Sequence, residues 1–305
     1  MKWYYIVLVL IILISIVILL GIFINKRING IRKAQYTYYY NHLSEKYKKQ
    51  SHIYKDLHKN QLSNIPIYYI NMDKDISRRN FIENQSLLYN IKINRISAIN
   101  GKEKNLKNDK IELYPGYNIP YFNNYSITNS ELGCTLSHIK AIYTSYKNND
   151  ELALIIEDDT SFVLVPYWDK TIKQIIDNAP TDWTIIKLFR IGNYNSKQVY
   201  KKYDEKRNLW STVAYIINRQ GMKNLLFDII EGNKLVLDKD TSGKKGVSDY
   251  LIYYRAKNAY DLKDTYFIPN NNQNDSTIHI SHTNSHIKKC LEYIEPYLRK
   301  IKSSS

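Results

Sequence analysis

Five consecutive apolar residues, Leu152, Ala153, Leu154, Ile155 and Ile156, run directly into three carboxylates, Glu157, Asp158 and Asp159. A strand with one wet face alternates apolar and polar side chains, so an unbroken apolar run belongs to a strand covered on both faces. Helices must then flank a sheet, as in α/β proteins, where ligands bind beyond the carboxyl ends of the strands. The triplet is expected at such an edge. Adjacent carboxylates repel unless a cation lies between them. A hard divalent ion, Mn²⁺ or Mg²⁺, relieves the repulsion and carries substrate phosphates on its open positions. The residues alone therefore point to a phosphate ester or nucleotide. The bland alternative, a solvated acidic turn, fits poorly after a buried strand.

The pattern around this strand is consistent with one α/β domain over residues 65–284. Residues 65–71 read as a first strand, Ser77 as the cap of a helix through Phe81, Leu88 and Ile91, and residues 93–99 as a second strand. Thr128 and Glu131 have the spacing of a capping box in front of the stripe Leu132, Leu136, Ile139 and Tyr143, which predicts a helix over 129–147. Beyond the triplet come a helix through Ile172, Ile175 and Ile176, strands at 184–189 and 212–217, and a helix after Arg219. A Gly/Lys loop at 243–247 leads to Asp249, which opens a further helical segment, and residues 285–305 form a basic terminal helix and tail. Strands alternating with helices favour a mainly parallel sheet.

Residues 3–24 carry no charge and are mostly Ile, Leu and Val, enough at helical rise to cross a bilayer. A signal peptide would have a shorter apolar core and a small-residue cleavage site, so residues 1–25 are expected to be a retained anchor whose removal leaves an active body. Residues 26–64 hold nine lysines and arginines against Glu45 and Asp56 and read as a solvated basic tether. More positive charge follows the anchor than precedes it, which favours a cytosolic body. Two cysteines in 305 residues supply no disulfide framework, in agreement with that side. Asn84, Asn124 and Asn274 match the glycosylation acceptor pattern and pull toward a lumenal orientation. The formal net charge of +15 raises the question of nucleic acid, but much of it sits in the tether and no nucleic-acid-binding motif is present, so no nucleic-acid partner is expected.

The order of motifs resembles glycosyltransferase family 25, the lipopolysaccharide and procollagen galactosyltransferase type. Asn71 with Asp73, Arg78 and Arg79 resembles its opening signature, and Arg95, Ala98 and Gly101 the segment after it. Glu131-Leu-Gly-Cys134 with Ser137-His138, followed by Glu157-Asp158-Asp159, is the most specific part; Tyr215, Gly221, Asp249, Pro269, Gln273 and Ser276 extend the likeness to about residue 280. The resemblance implies a GT-A-like fold, a UDP-sugar donor, a divalent ion, inversion at the anomeric carbon, and transfer of galactose or glucose to a glycan or glycoprotein hydroxyl. Asp159 would then hold the ion on the diphosphate, with Glu157 facing the ribose or completing the shell through water. Asp249 is the candidate base, with Asp238 and Asp240 as backups; an N-cap carboxylate is the alternative for Asp249. Asn71, Arg78, Arg79, His138, Asp158 and Lys187 are candidate donor contacts. His138 could instead bond within the core, and Lys187 could be a sheet-edge lysine. His279 and His282 are weaker metal candidates. The competing functions are a catalytically silent, membrane-anchored glycan-binding module and a metal-dependent phosphodiesterase.

Overall fold

The computed structural model describes residues 2–62, 64–102, 106, 110–122, 127–192, 194, 196–204, 210–237, 246–270 and 283–303. The expected apolar run forms β5 (Leu152–Glu157), third in a seven-stranded sheet. To one side lie β1 (Ile67–Asn71) and then β2 (Asn94–Ser97). To the other lie, in order, β9 (Ala214–Asn218), β7 (Ile185–Lys187), β12 (Ala259–Leu262) and β8 (Tyr200–Lys202). Alternate residues enter opposite cores. Ile67, Tyr69, Leu154, Ile156, Ala214 and Ile216 face one, and Tyr68, Ile70, Ala153, Ile155, Tyr215 and Ile217 the other.

Three of the six strand pairings are parallel, those of β1 with β2 and β5 and of β7 with β12; the other three are antiparallel. The sheet is therefore mixed rather than mainly parallel. Parallel neighbours need a long crossover. Helix α2 (Ile76–Leu88) supplies one between β1 and β2, but the described residues between β7 and β9 carry only the short strand β8. Strand β9 runs against both neighbours. Its residues Ala-Tyr-Ile-Ile are as apolar as those of β5, because double-sided burial imposes the same composition on either direction.

Helix α3 (Asn129–Lys147) has the expected bounds and capping box: Thr128 N donates to Glu131 Oε2 at 2.8 Å, and Glu131 N to Thr128 Oγ1 at 3.2 Å. It covers the second core with α5 (Arg219–Ile229) and α6 (Ser248–Arg255). The hairpin of β3 (Lys110–Tyr114) and β4 (Tyr117–Phe122), on the same side, was not read from the sequence. Across the sheet lie α2, α4 (Ile172–Asp177), the C-terminal α7 (Thr283–Ser303) and part of α1 (Lys2–Gln61).

Helix α1 starts with an exposed apolar stretch long enough to cross a membrane. Its continuation differs from the expected solvated tether. Tyr36, Tyr40 and Leu43, spaced at i, i+4 and i+7, are buried in the first core, where α7 contributes Ile287, Cys290, Ile294 and Tyr297. The lysines and the general abundance of tyrosine in this chain hide that stripe.

Candidate active site

The carboxyl ends of β1, β5, β7 and β12 and the amino end of β9 lie at one edge of the sheet. At this edge Asn71 closes β1 and Glu157 closes β5, with Asp158 and Asp159 in the turn that follows. Asn71 is 1% exposed; its amide donates to Asp158 Oδ2 at 2.8 Å, and its Oδ1 accepts from Arg79 Nε at 3.1 Å and Arg95 Nε at 3.2 Å. Arg78 pairs through Nε with Asp158 Oδ1 at 3.1 Å and through Nη2 with Asp159 Oδ2. One guanidinium thus bridges both aspartates and offsets one of their two charges. Burial still pushes the Asp158 carboxyl up to about 7, with Asp159 and Glu157 adding to the shift and Arg78 and Asn71 opposing it. Burial also raises Asp159, whose Oδ1 is buried without a hydrogen bond among the described residues.

Glu157 turns away from this pair. Thr212 donates to Glu157 Oε1 at 2.9 Å, and His138 Nε2 approaches the same oxygen at 3.6 Å. The His138 ring is held at Nδ1 by the Tyr215 hydroxyl at 3.1 Å. Burial alone would raise the Glu157 carboxyl, but His138, Thr212 and Arg78 hold it below the usual carboxylate range. His138 therefore lies in the core, bonded to Tyr215, with Nε2 near Glu157.

Asp249 stands in the first turn of α6, half-buried, next to Ser248, whose hydroxyl is 3.5 Å from Cys134 Sγ and 3.4 Å from Thr212 Oγ1. The Asp249 carboxyl is raised, chiefly by burial and also by Glu157; Lys187, His138 and the Ser211 backbone N–H pull the other way. Ser211 has φ +117°, a conformation L residues adopt only under strain. Its carbonyl accepts from the Tyr253 hydroxyl at 2.6 Å, so strained backbone faces both Asp249 and Tyr253. Lys187, 1% exposed, is paired with Asp261 Oδ1 at 3.3 Å and sits 4.4 Å from the Tyr253 ring centroid. It is neither a sheet-edge lysine nor open to a ligand, and it reaches the site through its charge on Asp249.

The helix motif holds this edge together. A Cβ on Gly133 would lie 2.6 Å from Ile99 O and 2.7 Å from Gly101 N, so the first turn of α3 presses on the backbone after β2. Ser137 Oγ accepts from Ile99 N at 2.8 Å and donates to Gly133 O at 2.6 Å. Thr212, Tyr215, Ser248, Asp261 and the Arg95–Asp73 pair were missed as site residues. Among them Tyr215 and Arg95 stood inside recognised motifs, while Thr212 and Asp261 had no local signal. Asp238, Asp240, His279 and His282 lie outside the described residues, as do Asn124 and Asn274.

The residues fit a divalent ion that arrives with a substrate better than a resident one. The described residues form no group of three His, Cys, Asp or Glu side chains able to hold a metal. The Oδ1 of Asp159 is nevertheless a hard oxygen, buried without a hydrogen bond among the described residues, and ions of this kind take one or two carboxylates plus substrate phosphates.

Comparison with known proteins takes in the same segment. A family model, glycosyltransferase family 25 (LPS biosynthesis protein), matches residues 64–239. Human procollagen galactosyltransferase 2 is 29% identical over 212 residues, 65% of this chain and 33% of that protein. A glycosyltransferase 25 family member of Aedes aegypti is 29% identical over 178 residues, 52% of this chain and 27% of its own. The chain thus spans about a third of the length of the curated relatives it matches. The family match runs from β1 through the acidic turn and β9, taking in Asn71, Arg78, His138, Glu157, Asp159 and Thr212, more than half of the residues in the chain, and on that basis the protein belongs to glycosyltransferase family 25.

Proposed function

We propose that this chain transfers a hexose, galactose by likeness to the procollagen galactosyltransferases, from a UDP-sugar to a hydroxyl of a glycan or glycoprotein, with inversion, in a GT-A-like domain. The observation that carries the reading is Asp159: a half-buried carboxylate in the turn after β5, one oxygen on Arg78 and the other buried without a hydrogen bond among the described residues. A divalent ion, Mn²⁺ or Mg²⁺, would supply positive charge against the leaving diphosphate. Asp159 would be the residue that holds the ion, while Thr212 fixes Glu157, with His138 3.6 Å away. Arg78 supplies a planar donor set suited to phosphate, and Asn71, Arg79 and Asp158 keep it in place. Asp249 removes the proton from the acceptor hydroxyl as its oxygen bonds the anomeric carbon and the bond to UDP breaks. A carboxyl raised above its ordinary value is a stronger base for that step.

The apolar start of α1 is read as a retained anchor, supported by its continuity with helix buried in the domain. Its charge bias puts the body on the cytosolic side, which unchanged mobility after endoglycosidase treatment would support. The catalytic reading is tested with Asp159→Asn and Glu157→Gln at saturating Mn²⁺. Asp159→Asn should lose most turnover with its melting temperature retained, and Glu157→Gln should lose less; ordinary activity in both variants removes the acidic turn from the mechanism.

A further inference from the structure

We propose that Tyr36 and Tyr40 of α1 are positioning residues for the acidic turn, so that the membrane helix and the donor site form one mechanical unit; the role of that site rests on the function proposed above. Behind the turn, β6 (Thr160–Ser161) pairs with β13 (Ile268–Pro269) in a separate two-stranded ribbon. Asp159 immediately precedes β6, and Asn270, immediately after β13, donates its N–H to Asp159 O at 2.6 Å. So small a ribbon is not stable by itself. Helix α2 holds one strand, through Gln85 Nε2 on Thr160 O at 3.1 Å and Phe162 N on Gln85 Oε1 at 2.7 Å. Helix α1 reaches both strands: the Tyr36 hydroxyl donates to Pro269 O at 2.8 Å, and the Tyr40 hydroxyl bonds Ser161 Oγ at 2.9 Å.

Tyr36 is 0% exposed and Tyr40 9%. Phenylalanine would fill the same space, and a buried hydroxyl is costly unless it is bonded. What tyrosine adds at both positions is a bond to the strands that carry Asp159 and Asn270. Helix α1 continues without interruption from the apolar stretch, and Tyr36, twelve positions after Ile24, lies about 18 Å further along at helical rise. The acidic turn is thereby tied to the helix that carries the apolar stretch.

The test uses the full-length chain in detergent, comparing Tyr36→Phe/Tyr40→Phe with Tyr38→Phe, a control whose ring is 67% exposed. Amide hydrogen exchange is followed at 157–162 and 268–270 and, as internal reference, at 214–218; UDP affinity with Mn²⁺ is measured alongside. In the double variant, exchange at the two ribbon segments should accelerate and UDP affinity fall by about three- to tenfold each, the scale of a lost hydrogen bond, with β9 unchanged. Tyr38→Phe should match the parent. Unchanged ribbon exchange, or equal acceleration at β9, overturns the proposal, the latter showing a global stability effect only. Accelerated ribbon exchange in a protein whose parent binds no UDP would keep the brace and remove the donor reading, so the two failures are distinguishable.

Discussion

Asp249 owes its chemistry to its neighbours. Burial makes its charged form costly, and Glu157 from β5 adds to that; Lys187 from β7, His138 from α3 and the Ser211 N–H favour the charged form. Because its folded pKa is raised, the folded state holds this proton more tightly than the unfolded chain. The group thus costs stability as pH rises from its ordinary value through the raised one. In the proposed role of base, it should place the acid limb of the kcat/KM profile above the ordinary aspartate range. Lys187→Met combined with Asp261→Leu, which avoids leaving one buried charge alone, should move that limb higher still. Initial rates from pH 4 to 8 would show it. A limb that stays in place would mean that the buried lysine does not act on the base.

At the scale of elements, the sequence was most legible where burial and capping act locally. Helix α3 was readable because Thr128, Glu131 and a 3.6-residue apolar stripe agree, and β5 because five apolar residues end in three acids. Strand direction was not readable, since β9 shows the same apolar run whether it is parallel or antiparallel. The docking of α1 was hidden because Tyr36 and Tyr40 are diluted by 29 tyrosines in all. At the site, the acids and arginines stood in motifs, whereas Thr212 on Glu157 and Asp261 on Lys187 are partners made only by the fold. Glu-Leu-Gly-Cys was legible as a pattern, and its reason is steric: Gly133 touches the backbone of Ile99 and Gly101. Gly133→Ala should therefore destabilise the domain by about 1–3 kcal/mol, the usual cost of overpacking a close contact. Thermal unfolding would check this. A melting temperature equal to the parent's would show that α3 can move away at no cost.

Across the whole molecule, α1 joins two environments, exposed apolar helix at its start and domain core at Tyr36, Tyr40 and Leu43. Removing residues 1–25 should leave a folded, active body. Removing residues 1–45 should not, because burying one large aromatic side chain contributes about 3–5 kcal/mol while a domain's net stability is about 5–15 kcal/mol. Circular dichroism melts of the two fragments would separate these outcomes, and an equally stable shorter fragment would return α1 to the role of a tether. The central claim, that the edge formed by Asn71, Arg78, Glu157, Asp159 and Asp249 is a nucleotide-sugar transferase site, is tested most directly by turnover of the full-length protein. UDP release should be measured over a panel of UDP-sugars with and without Mn²⁺. The account predicts UDP release from a UDP-hexose, UDP-galactose first, that depends on the divalent ion and falls in Asp159→Asn. Absence of turnover and of UDP binding across the panel, with the protein folded and Mn²⁺ present, would contradict it.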